Sequence, residues 1–412
     1  MCLRDAPVSA PSPSPETESL GLTHVATASF VAARAAPAAQ FWLSLPGGVA
    51  LARVARRQGL SHGYGASFAA MLQGVAILGP LRINGPLTQA ITAPAVGRAR
   101  RPVVQMAACL TLRVAHYAVL NVLAVWLLLG GVDGLVRTYD ATTSWTHVLP
   151  QGRTAAIVVT VVYQLFWAVV LSAVQVAVYR RALRAWPPAS ADTGSVAPAV
   201  AGPGAGVDAR PLAIAAIVAF GVLLASTAPP VLAGVAAWLA VAWWVARPDS
   251  QTARVGLGLA ALVALTTLGA GLIGALGFAD SLPRAARAAL LVLVATWLRG
   301  AAGPEGMRDV FRAVLGRLRR FGWTRESAAL LDRLDSAPRL SAAGRELVDA
   351  LRDVPKRPGP VADATTAWVV AEAARGAGGE ARAITPARAR PRDRLLVALS
   401  VVPLAGLLGH AL

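Results

Sequence analysis

Met307-Arg308-Asp309-Val310-Phe311-Arg312-Ala313-Val314-Leu315-Gly316-Arg317-Leu318-Arg319-Arg320-Phe321 carries two signals at once. Val310, Phe311, Val314, Leu315 and Leu318 recur at helical spacing, while Arg308, Arg312, Arg317, Arg319 and Arg320 fall elsewhere around the same turns. The pattern predicts a helix with one apolar and one cationic face. It opens a polar stretch from Arg299 to Arg394, which holds a second helical run from Arg325 to Asp353 and a third ending in Ala371-Glu372-Ala373-Ala374-Arg375-Gly376. Apolar runs flank the stretch on both sides. Amphipathic helices inserted between membrane segments present a docking surface to something outside the bilayer, so the partner becomes the leading question.

The surrounding chain sets the class. Of its 412 residues, 56% are hydrophobic and 15% charged, against about a quarter charged in soluble domains. Several apolar runs approach the ~20 residues that a helix needs to cross a hydrocarbon core. Lipid gives backbone groups no hydrogen-bond partners, so a span must be a helix or belong to a closed barrel, and these runs are too long for tilted barrel strands. The expected fold class is therefore all-α, a polytopic helical membrane protein. The formal charge of +18 suggests nucleic acid at first sight. The basic residues cluster at the ends of apolar segments, however, as the positive-inside rule places them, and nucleic acid is set aside as a partner. Cys2 and Cys109 form neither a disulfide framework nor a metal site; Cys109 reads as a buried apolar cysteine.

Residues 1–23, with Pro11, Pro13 and Pro15 among serines, read as a disordered tail. Residues 24–186 read as a membrane domain of four or five apolar segments, some broken by Gly and Pro. In this domain Arg113 lies in an apolar run, where an ionisable residue is a functional-site hypothesis, although its place near the basic end favours snorkelling to the surface. Tyr163, Gln164, Trp167 and Gln175 fall near one helical face, which suits a ligand wall but more often is interhelical glue. The loop 132–153, with Asp133, Asp140, Trp145 and His147, is external by the alternation of spans. The Pro/Ala/Gly-rich stretch 187–207 is a linker and the expected domain boundary, so 208–412 is expected to fold alone. Spans are expected near 211–228, 231–246, 255–278, 285–299 and 395–411, with cytoplasmic helices over 304–376. The result is a multi-pass protein of the plasma (inner) membrane.

This order of features resembles the transmembrane (T) component of energy-coupling factor ABC importers, the vitamin and cobalt or nickel uptake systems. The residues that carry the resemblance are Arg287 to Gly300, Pro304-Glu305-Gly306-Met307-Arg308-Asp309-Val310-Phe311, Leu318-Arg319-Arg320-Phe321-Gly322, Ala371 to Gly376, and Arg390-Pro391-Arg392-Asp393-Arg394-Leu395. The resemblance covers roughly 208 to 412. It implies a non-enzymatic subunit without cofactors, whose two cytoplasmic helices dock on ABC-type ATPase subunits that bind the ATP. In the family each helix commonly ends in Ala-Arg-Gly, its arginine reaching an acidic groove; Ala374, Arg375 and Gly376 match the second motif. Arg308, Arg312, Arg319, Arg320 and Arg352 become the further expected coupling contacts. The first motif is missing: the chain there reads Arg352-Asp353-Val354-Pro355-Lys356-Arg357-Pro358, with Arg352 and Arg357 as substitutes.

Residues 24–186 match the size of a substrate-binding S component, which is a further implied partner or fused unit. An enzyme is disfavoured. His24, His62, His116, His147 and His410 are scattered along the chain, and no HExxH, phosphate loop or nucleophile elbow is present. The alternative function is a membrane scaffold whose basic helices recruit a non-ATPase partner or lie on anionic membrane lipid.

Overall fold

The computed structural model describes residues 14–35, 37–79, 84–144, 148–187, 209–274, 277–318, 320–334, 336–377, 395 and 397–399. Most of the expected tail, linker and last span lie outside these residues, as do Trp145, His147 and Arg319. All regular structure among the described residues is helical. In chain order the helices are α1 (Pro15–Ala35), α2 (Gln40–Gln58), α3 (Leu60–Leu78), α4 (Asn84–Arg98), α5 (Pro102–Ala124), α6 (Val132–Thr143), α7 (Arg153–Arg184), α8 (Ala209–Ala225), α9 (Pro229–Val245), α10 (Ser250–Ile273), α11 (Gly277–Arg317), α12 (Gly322–Arg333), α13 (Ala337–Arg352) and α14 (Pro358–Gly376).

Among the described residues, four helical segments are long and apolar enough to cross a membrane: Pro102–Leu129, Arg153–Arg184, Ser250–Ile273 and Gly277–Arg317. The shorter apolar helices α8 and α9 accompany them. Only 11% of the most apolar window of α5 and of α7, and 22% of that of α10, is buried inside the protein, against 61% for α11. So α11 is the central strut, and the others turn apolar faces outward, with Val119, Val122, Val158, Val162, Leu262 and Leu265 all exposed. Faces of this kind mark contact with lipid or with another protein, and at this length and apolarity a membrane fits them.

The bundle has two distinct ends. At one, Arg284 and Arg287 of α11 donate to the carbonyls of Leu129 and Leu127, which the end of the α5 segment leaves unpaired. At the other, α7 finishes in Arg180, Arg181 and Arg184, and Arg181 forks onto Asp363 of α14 at 2.9 and 2.7 Å.

On that second end lies a helical layer that the two-domain expectation did not anticipate. Ser19 to Ala33 of α1 is buried on every side, enclosed by α2, α3, α13 and α14. A single core joins Val25, Phe30, Leu45 and Leu51 of the front half to Leu330, Leu340, Leu347, Val361 and Val369 of the back half. A second core joins α8, α9 and α11. Two expectations change accordingly. Pro15–Thr23, assigned to the tail, is helical, because Ser19 and Thr23 turn inward, with the Ser19 hydroxyl donating to Gln58 at 2.7 Å. The linker divides the sequence but not the packing, since α12–α14 share their core with α1–α4.

Within α11, Gly303 adopts φ 66°, ψ 171° and bends the helix between its span and the basic run that follows. That conformation is open essentially to glycine alone. Gly303→Ala is expected to cost about 1–3 kcal/mol, read from unfolding in detergent; an unchanged stability would mean that the bend relaxes freely. Residues 208–412 made alone are expected to lose protection across α12–α14 under proteolysis that leaves the full chain intact. Equal protection in the fragment would show that these helices need no cover from α1–α4.

Candidate functional site

The motif Ala374-Arg375-Gly376 closes α14, and the structure places it over the middle of α1. The Arg375 guanidinium reaches Glu346 of α13 at 2.8 Å through Nη1 and Glu372 at 2.7 Å through Nη2. Glu372 also holds the His24 ring, Oε1 to Nε2, at 2.7 Å, with both side chains almost wholly buried. The Arg375 backbone carbonyl accepts from Arg339 at 2.8 Å. These contacts join α1, α13 and α14. Gly376 serves the same junction, because a Cβ there would lie 2.7 Å from the His24 ring. The close approach expected of this glycine is thus to another helix of the same chain.

Arg375 is half-exposed, its side chain at 43%. Burial opposes its charge, but the Glu346 and Glu372 carboxylates outweigh that cost and raise its pKa further above the ordinary guanidinium value. It therefore acts first as an internal ion-pair partner, and its exposed part is what a partner protein would meet. Glu346 is also half-exposed, so the outer half of the junction faces solvent and the inner half, His24 with Glu372, does not.

The other expected coupling arginines separate in the same way. Arg308 is buried at 1% and donates through Nη2 to the carbonyls of Leu331 and Leu334, the latter at 3.0 Å. It caps the C-terminal end of α12, where carbonyls lack helical partners. Arg312 pairs with Asp332 of α12 and, at 3.3 Å, with Asp309 of its own helix. Both residues brace α11 against α12 and are not surface contacts. Arg352 is exposed and pairs locally with Asp349 at 2.7 Å. Arg320 is exposed, with its guanidinium 5.1 Å from the Phe321 ring centre.

Arg113 corrects the snorkelling expectation. It is 1% exposed, and its guanidinium donates to Ser172 at 3.1 Å, to Tyr117 at 3.2 Å and to Gln175. Gln175 in turn donates to Thr92 at 2.8 Å, linking α7 to α4. Gln175 and Gln164, which meets Asn121 at 3.1 Å, are interhelical glue as expected, whereas Tyr163 and Trp167 of the same face are exposed. Arg113 turns inward because this network offers it acceptors closer than the helix end.

His24 and Glu372 were not singled out as site residues from the sequence. Each is a lone titratable group in an apolar run, Leu20–Ala33 and Trp368–Ala374, and that isolation was the available signal. Their pairing across 348 positions has no local signature. Glu372→Gln is expected to cost about 3 kcal/mol, because it leaves His24 and Arg375 without their buried carboxylate. Glu346→Gln, at the exposed rim, is expected to cost below about 1 kcal/mol. Denaturant unfolding of the two variants checks the contrast, and equal losses would show that the buried pair holds nothing together. No protein family, curated protein or solved structure matches the chain, so the resemblance to the T component rests on the residues quoted for it alone.

Proposed function

We propose that this chain is the non-catalytic membrane subunit of an energy-coupling factor-type ABC importer, which passes the closure of cytoplasmic ATPase subunits to a span bundle in the plasma membrane. The observation that supports this reading is the course of α11. One helix leaves the centre of the bundle, bends at Gly303 and ends under α12, to which Arg308 and Arg312 fasten it. A displacement of the outer helices would therefore be carried to the span with the most protein contact. The gathering of arginines at the α12–α14 end agrees with a cytoplasmic orientation of that layer. Vitamin or metal-ion uptake is the substrate class that the family resemblance implies.

In this reading the ATPases meet Arg320, Arg352 and the outward part of Arg375, and Arg308 and Arg312 transmit without contact. An arginine fork suits such a role, because it binds carboxylates in pairs and keeps its charge when partly covered. The front half is not proposed as a separate S component that topples on its own, since α1–α4 share a core with α12–α14.

A mild-detergent pulldown with mass spectrometry tests the proposal. Recovery of one or two ABC ATPase subunits is expected, reduced at least fivefold by the exposed pair Arg320→Glu and Arg352→Glu, with unfolding unchanged. Recovery of the chain with a partner that binds no nucleotide would move the weight to the scaffold reading, which the internal engagement of Arg375 favours.

A further inference from the structure

Where the span bundle meets the helical layer, α1, α3, α10, α11 and α13 enclose a cleft of about 320 Å³. Its polar side is formed by Arg299 at the end of the apolar run of α11, by Asp249, Gln251 and Thr252 at the start of α10, and by Ser341 of α13. Its floor is aliphatic, with Val255 and Leu259 of α10 and Val292 of α11 among the walls. The Arg299 guanidinium donates through Nε to the carbonyl of Ile77 at 3.0 Å and through Nη1 to Thr252 Oγ1 at 2.5 Å. Among the described residues its Nη2 donates to no protein group. Asp249 lies 3.7 Å away, in ion-pair range but beyond a hydrogen bond. The cleft thus holds a cation and an anion side by side, in ion-pair range but with no hydrogen bond between them.

The depth of the cleft is informative. Arg299 follows the apolar run Leu290–Leu298, and the apolar part of α10 begins at Val255, so the polar side stands at the level where hydrocarbon gives way to headgroups. Val255 both lines the cleft and is 44% exposed. It continues into the outward face of Leu262 and Leu265, both exposed. An acyl chain leaving past Val255 would run along a surface that already faces lipid.

We propose that this cleft binds one phospholipid with an amine headgroup, phosphatidylethanolamine, its phosphate on Arg299 and its ammonium on Asp249. The discrimination follows from donor chemistry. An ethanolamine ammonium donates hydrogen bonds to a carboxylate, whereas a choline cannot. A phosphatidylglycerol brings the phosphate but no cation, and leaves Asp249 facing like charge. Asp249 is available for this, because the Thr252 side chain and backbone N–H hold its carboxyl below the usual range and keep it ionised. The Thr252 N–H donates to the carboxylate at 2.8 Å.

The test is native mass spectrometry of the full chain in detergent, titrated with phosphatidylethanolamine, phosphatidylcholine and phosphatidylglycerol of equal acyl composition, with soluble glycerophosphoethanolamine as competitor. At least fivefold preference for the ethanolamine lipid is expected. Arg299→Gln should remove most of that binding, and Asp249→Asn, which keeps an acceptor for the α10 N-cap, should erase the preference over choline. Ser341→Phe fills the cleft from α13 without touching either charge and should exclude the lipid; it decides the matter if Arg299→Gln lowers the melting temperature. Equal retention of all three lipids, a preference that survives in Asp249→Asn, or full binding in Ser341→Phe would overturn the site. Competition by glycerophosphoethanolamine as strong as by the lipid would overturn the lipid assignment in favour of a soluble phospho-amine.

Discussion

A helix that is buried on every face has to be enclosed, and α1 is the element on which this constraint acts. Its buried stretch from Ser19 to Ala33 has no side that can face water, and a surrounded helix of this kind lies in lipid or in a protein core. Here it lies in a core. Neighbours from its own half, α2 and α3, cover part of the circumference, and the rest is closed by α13 and α14. The joining of the two ends of the chain follows from that need. Burial of large side chains such as Phe30, Leu20 and Leu22 contributes roughly 1.5–3 kcal/mol each, offset by the ordering of the chain that makes it possible.

Charges then fix how the enclosure fits. Apolar packing alone is tolerant of small shifts along a helix, because methylene and methyl groups interchange with little loss. A carboxylate buried against an imidazole is not tolerant, since moving either by a turn leaves a charge without its partner. The pair His24 and Glu372 therefore defines the register of α14 on α1, as Arg308 defines that of α12 on α11 and Arg113 that of α5 beside α7. In each case a polar group with a narrow set of acceptors sits within a broad apolar contact. The three positions are far apart in sequence and each ties a different pair of helices.

The helical membrane class was legible in the sequence because outward-facing apolar runs such as Ile157–Val170 have few alternatives once they reach span length. The amphipathic nature of the stretch after Gly303 was legible as well, from the spacing of Val310, Phe311 and Leu315. The role of its arginines was not. A cationic stripe reads the same whether its members point to solvent, as Arg320 does, or bend inward to carbonyls supplied by a later helix, as Arg308 does. The same ambiguity hid α1, since an apolar helix enclosed by protein and one enclosed by lipid share one hydropathy pattern. Of the candidate site, Arg375 was found from a motif, while Glu346 and His24 required knowing which helices meet. The pairing of distant charges is a property of the packing and leaves no periodic trace.

The shared core also sets a timetable. Ribosomes add about 5–20 residues per second, and α1 emerges long before α12, α13 and α14 exist to cover it. For on the order of tens of seconds, nearly the whole span bundle must be threaded into the bilayer while an uncovered apolar helix waits outside its final contacts. During that interval the insertion machinery or a holding chaperone has to occupy the place that α13 and α14 later take. A nascent chain stalled after α11 would display an apolar groove around α1, and quality-control factors that recognise exposed apolar surface would meet it there.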